Sequence, residues 1–165
     1  MKNLIFLLAT IFIISSGSHA GTQPAVYDNA KALKGLTATK AYFDVTLGEP
    51  KPLLLRLQII EKTYNQLVAA GVSPTFVVGI RDKASMFFTK GDEYVLDIDR
   101  PEKAQIAILV KKFNALDIGI EQCGIAAGFE EIDVADFLPE VELVANGYVS
   151  MIGYQTQGFA LVSIN

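Results

Sequence analysis

Thr75-Phe76-Val77-Val78-Gly79-Ile80 is an almost unbroken apolar run with the length of a strand. A strand with one wet face alternates apolar and polar residues, whereas a continuous run belongs to a strand covered on both faces, as in a parallel sheet. Upstream, Ala41-Tyr42-Phe43-Asp44-Val45-Thr46-Leu47 is rich in aromatic and β-branched residues and reads as the first strand, ended by Gly48, Pro50 and Pro52. Between the two, Leu53, Leu57, Ile60, Tyr64 and Leu67 recur at helical spacing to about Ala70. Pro52 suits the first turn of that helix, and Gly71 suits a left-handed stop.

The same alternation continues downstream. Residues 82–90 predict a short helix capped by Asp82, and residues 92–98 admit an edge strand or an ordered loop. Asp99-Arg100-Pro101-Glu102 has an aspartate cap with a glutamate three residues on, the pattern of a helix start. Ile106, Val110 and Phe113 carry that helix to about Leu116, with Lys111 and Lys112 facing water. Residues 118–123 predict a third strand, 134–138 a short helix capped by Asp133 and stopped by Pro139, 141–145 a fourth strand, 147–157 a helix ended by Gly158, and 159–164 a fifth strand. Strands alternating with helices imply right-handed βαβ winding. The expected fold is α/β, three layers around a mainly parallel five-stranded sheet.

The N-terminus has a different character. Lys2 precedes the apolar run LIFLLATIFII at residues 4–14, and Ser15-Ser16-Gly17-Ser18-His19-Ala20 follows. A positive start, a short greasy run and small residues at Ser18 and Ala20 describe a signal peptide at 1–20. The run is too short to span a bilayer, which takes roughly 20 residues. The expected division is a leader at 1–20, a flexible arm at 21–39 and one domain at 40–165, with export to the periplasm or the medium.

Composition removes many chemistries. The chain has 165 residues, a formal charge of −4, 51% hydrophobic residues, one cysteine and one histidine. That size suits one core, and that apolar content is far from a disordered polymer. Mild acidity without a basic cluster argues against a nucleic-acid partner. A single cysteine forbids a disulfide within the chain. His19 leaves with the leader, so histidine-dependent triads and histidine-held metals are not expected in the mature chain. No cofactor is expected, nor a membrane partner after cleavage.

Cys123 ends the third strand, on the edge where open parallel sheets bind ligands. Gly124 follows and permits close approach of another backbone or a ligand, and Ala126 and Ala127 are small, so the turn is not crowded by its own side chains. Cys123 reads either as a reactive thiol or as a small buried hydrophobe. Arg81 ends the second strand on the same edge; it reads as a cation near the thiol, as Lys83 could also be, or as a solvated surface residue. Arg81 and Gly124 are the candidate substrate-binding residues beside Cys123. Glu130 and Glu131 are adjacent and diverge, so they make a poor acid–base pair. Asp97 and Asp99 lack the remainder of a calcium loop, and Asn146-Gly147 reads as a turn or helix entry.

Four stretches then resemble one family: AYFDVTLGEP at 41–50, FVVGIR at 76–81, IEQCGIAA at 120–127 and FLPEVELVANGYVSMIGYQTQGFALVSI at 137–164. In order and spacing they resemble the DsrE/DsrF-like sulfur-relay proteins over nearly the whole domain. The resemblance implies a three-layer α/β/α sandwich, a homotrimer, homohexamer or hetero-hexamer, and sulfur held as a persulfide on the cysteine matching Cys123. No second cysteine is present to resolve a persulfide, so sulfur would pass to a partner protein or a small thiol. The chain is at most a sulfurtransferase or sulfur carrier. The alternative is a non-catalytic oligomeric binding or scaffold protein with Cys123 as core packing.

Overall fold

The computed structural model describes residues 27–165. The expected leader at 1–20 lies outside the described residues, as do positions 21–26 of the expected arm. The chain divides into two units, Met1–Lys34 and Gly35–Asn165. The described part of the first carries one exposed helical turn, α1 (Ala30–Leu33), whose Ala30 N–H donates to Asp28 Oδ1 at 3.1 Å.

The second unit is built on strands β1 (Ala38–Val45), β2 (Ser73–Ile80), β3 (Gly119–Cys123), β4 (Glu142–Val144) and β5 (Ala160–Ile164). They form one sheet in the order β4-β3-β2-β1-β5, and every pairing is parallel. Helices α2 (Pro50–Ala69), α3 (Arg100–Ala115), α4 (Gly124–Phe129) and α5 (Gly147–Thr156) connect them. β1 begins ahead of the expected boundary at residue 40, because Ala38 pairs with Ser73, and Thr37 O accepts from Ser73 N at 2.9 Å. Backbone pairing recruits those residues although their side chains carry no apolar pattern.

Side-chain alternation divides the sheet into two unlike faces. Phe43, Val45, Phe76, Val78, Ile80 and Ile120 point into the larger core, against Leu53, Leu57 and Ile60 of α2 and Ile106, Val110 and Phe113 of α3. Val45, Leu53, Leu57, Val78, Ile106 and Val110 are wholly buried. Each such side chain contributes about 1.5–3 kcal/mol by leaving water. The opposite face holds a much smaller cluster, Tyr42, Val77 and Phe159 with Met151 and Tyr154. These are the three layers: α2 and α3, the sheet, and α5. Among the described residues no helix is long and apolar enough to cross a membrane.

Several local expectations change in detail. Gly71 ends α2 in the left-handed region, φ 78°, as its position requires. Residues 82–88 form a 3-10 helix, and Asp82 does not cap it: its own φ is 55° and its carboxylate accepts from Arg81. Asp99 makes no side-chain cap either. A 3-10 turn at Asp97–Asp99 runs straight into α3, leaving Asp99 with a helical backbone where a cap needs an extended one. The stretch 92–98 is an ordered loop as far as that 3-10 turn, entered through a turn tied down by buried Lys103, whose ammonium donates to Thr89 O at 2.7 Å and also to Gly91 O. Burial lowers the pKa of that lysine. The expected helix at 134–138 contracts to a 3-10 turn, Val134–Asp136, capped by Asp133 as expected. The expected turn after Cys123 is instead the short helix α4.

Gly79 shows how closely the thin face is packed. The Tyr42 phenol lies where a β-carbon of residue 79 would be. Gly79→Ala is expected to destabilise the fold by about 2 kcal/mol, within the range for overpacked cores. Tyr42→Leu vacates that space, so adding the alanine to it should cost less than adding it to the wild type. Urea midpoints of the four proteins check this, and strictly additive costs would contradict the packing.

Candidate functional site

β3 and β4 are neighbours whose connections leave in opposite directions. α4, after β3, returns Ala127 to the larger core, whereas α5, after β4, sends Met151 and Tyr154 to the cluster on the other face. A crevice of this kind, at the carboxyl ends of strands whose connections diverge, is where open α/β sheets take ligands. Cys123 occupies it as the last residue of β3 and the residue that precedes α4.

The crevice is nearly closed. Gly147, the first residue of α5, donates its N–H to Cys123 Sγ at 3.2 Å. A β-carbon on Gly147 would come within 3.1 Å of Cys123 Cβ, and one on Gly124 within 3.2 Å of Val144 O. Gly147 therefore packs directly on the Cys123 side chain, and Gly124 on the backbone at the end of β4. Of the two occupants expected against Gly124, a backbone or a ligand, the β4 backbone takes the place, and the turn, small in its own side chains, is covered from outside by α5. Cys123 is only 5% exposed. The first turn of α5 lies across it, which the residues immediately around the cysteine did not reveal.

Arg81 does reach the same edge, but its guanidinium is committed elsewhere. Nε and Nη2 donate to the two oxygens of Asp44 at 2.7 and 2.8 Å, and Nη1 donates to Asp82 at 3.1 Å and to Tyr148 Oη at 3.2 Å. The Tyr148 ring also lies 4.9 Å from the guanidinium carbon. The hydrogen bonds that Arg81 donates to Asp44 raise the arginine pKa against the effect of burial, so the charge is permanent. The cation expected beside the thiol thus clamps β1, β2 and α5 together. It makes no bond to the sulfur.

A second polar group lies beneath α5. Tyr154 donates to Glu121 Oε1 at 2.7 Å, and its ring stacks on Tyr42 at 5.4 Å between centroids. Glu121 Oε2 is buried without a partner among the described residues. Burial, then the charges of Glu121 and Asp44, push the Tyr42 phenol well above its usual pKa. Tyr42, Asp44, Gly79, Glu121 and Cys123 share this face by strand alternation and parallel register. On the opposite face, Gln122 ties β3 to the 3-10 helix through Ser85 Oγ at 2.9 Å. Among the described residues no group of three or more His, Cys, Asp or Glu is arranged to hold a metal.

Asp44, Glu121, Tyr148 and Tyr154 were not singled out from the sequence. Their signal was present: Asp44 and Glu121 are carboxylates inside otherwise buried strands, where a charge needs a partner. Naming those partners requires α5, which arrives from a distant part of the chain.

Burial, then the hydrogen bond to Glu121, raises the Tyr154 phenol from 10.0 to about 12. Because the folded value lies above the unfolded one, this group's contribution is complete below pH about 10 and is lost as pH rises toward about 12. Tyr154→Phe removes the titration, so its stability should fall less steeply than the wild type's across that window. Urea midpoints measured against pH for both proteins check the slope.

No protein-family model matches the chain. A curated protein of Aquifex aeolicus (strain VF5), described as uncharacterized, is 29% identical over 127 residues, covering 74% of this chain and 55% of its own length. The chain thus spans about half the length of that relative. Among solved structures, the protein of unknown function MTH1491 from Methanobacterium thermoautotrophicum matches with a TM-score of 0.61 and 16% identity, over 76% of this chain and 98% of its own. At that identity the likeness shows a shared fold, in agreement with the layered α/β architecture.

Proposed function

We propose that the chain is a DsrE-like sulfur carrier whose working group is the Cys123 thiol. The observation that supports this reading is the place of the sulfur: at the divergence of β3 and β4, with the Gly147 N–H on Sγ and the N-termini of α4 and α5 beside it. A group at the carboxyl ends of strands whose connections diverge stands where open α/β sheets meet their ligands.

The transfer follows thiol–disulfide exchange. The Cys123 thiolate attacks the outer sulfur of a donor persulfide or polysulfide. A bond forms between Cys123 Sγ and that sulfur, the donor's sulfur–sulfur bond breaks, and the donor leaves as a thiolate. An acceptor thiolate then attacks the outer sulfur, forms its own persulfide and returns Cys123 as a thiolate. The two exchanges need no external oxidant or reductant. Export and a trimeric or hexameric assembly accompany this reading, the first from the leader at 1–20 and the second from the family resemblance.

Two observations favour a second reading, an oligomeric scaffold in which Cys123 only packs. The thiol is 5% exposed, and Tyr148, Val149 and Ile152 of α5 are largely exposed apolar residues. Intact mass after incubation with polysulfide separates the two. The sulfur-carrier reading expects the wild type to gain sulfur that a reducing thiol removes, and Cys123→Ser to remain folded and gain none. A wild type that takes up no sulfur at Cys123 would leave the scaffold reading.

A further inference from the structure

α5 is anchored unevenly along its length. Its later turns are held by packing: Met151 and Tyr154 lie on Tyr42 and Phe159, and Tyr154 is bonded to Glu121. Its first turn has no buried apolar side chain, since Tyr148 and Val149 are 57% and 66% exposed. Beyond its own cap, in which Asn146 Oδ1 accepts from Tyr148 N at 2.9 Å, two side-chain contacts among the described residues hold that turn down. One is the Gly147 N–H on Cys123 Sγ, and the other is Tyr148 on Arg81. The chain enters it from β4, a three-residue edge strand paired only with β3, through Ala145 and Asn146.

We propose that the first turn of α5 is a latched cover over the Cys123 sulfur, and that Tyr148 on the Asp44-anchored Arg81 is the latch. The anchor is firm because Asp44 fixes the guanidinium through two parallel bonds, so the arginine presents a flat face to the tyrosine ring and Nη1, which also bonds Asp82, to its hydroxyl. The moving part is weakly held because an exposed cation–aromatic contact is a modest interaction. When the latch releases, the short edge strand and the two residues after it allow the turn to lift. The later turns stay seated on Tyr42, and the sulfur is uncovered from the carboxyl edge of the sheet. Access to Cys123 is then a local opening equilibrium, distinct from unfolding. The proposal concerns access to the sulfur and holds whether Cys123 carries sulfur or only packs.

Native alkylation by iodoacetamide, followed by intact mass at fixed pH, tests it on the full chain. Tyr148→Ala removes the latch; Tyr148→Phe keeps the ring and loses the hydroxyl bond. Ile152→Ala is the control, 64% exposed on the same helix. Urea midpoints of all four proteins separate local opening from global loss of stability. The expected result is slow wild-type alkylation, a rise of about tenfold or more for Tyr148→Ala, a smaller rise for Tyr148→Phe, and the wild-type rate for Ile152→Ala. Tyr148→Ala reacting at the wild-type rate, or only in proportion to its lost global stability, would overturn the latch. So would a wild-type thiol that reacts natively as fast as in the unfolded chain.

Discussion

The crossover from β4 to β5 carries the chain from one edge of the sheet to the other. The steps from β1 through β2 to β3 advance in one direction with α2 and α3 on one face. With right-handed connections, the return step must run over the opposite face. α5 is therefore the helix that covers the second face in the unit Gly35–Asn165, and its first residue emerges beside the end of β3. The contact between Gly147 and the Cys123 sulfur follows from that geometry. So do the split between a large core and a small one and the placement of the polar groups under α5.

A thin cover changes what the sheet can hold. On the face of α2 and α3 the strands present apolar side chains apart from Gln122, and the wholly buried residues cluster there. Beneath α5 the same strands present Tyr42, Asp44 and Glu121, each of which needs a polar or charged neighbour. Asp44 finds Arg81, and Glu121 finds Tyr154 through one oxygen. Breaking a buried ion pair by removing one partner costs roughly 3–5 kcal/mol, whereas the intact pair adds little net stability. The Asp44–Arg81 pair is accordingly better understood as fixing position. It sets the end of β2 against β1 and offers Tyr148 a rigid platform.

The elements with apolar rhythm were legible in the chain. The strand at 75–80, the long helix after Pro52 and the strand ending at Cys123 all emerge within a few residues of their expected limits. Less was legible where backbone pairing or local turn geometry outweighs side-chain pattern. β1 extends back to Ala38 because Ser73 pairs with it. The expected helix at 82–90 tightens to 3-10, and Asp99 loses its capping role because the preceding turn already bends its backbone. α4 was missed because Gly124-Ile125-Ala126-Ala127-Gly128-Phe129 has glycines at its first and fifth positions, which read as a turn when no neighbour is in view.

By itself the amino-acid order determined the class of fold, the order of its strands and the position of its one cysteine at the end of a strand, because periodicity and turn residues act over a few neighbours. Tertiary structure alone decided what surrounds that cysteine. Gly147 and Tyr148 lie more than twenty residues beyond it, and Asp44 and Arg81 lie far before it, so no local pattern could bring them to one edge. The physical reason is the sheet: parallel register aligns distant strands row by row, and the returning helix closes over whichever side chains that register has gathered.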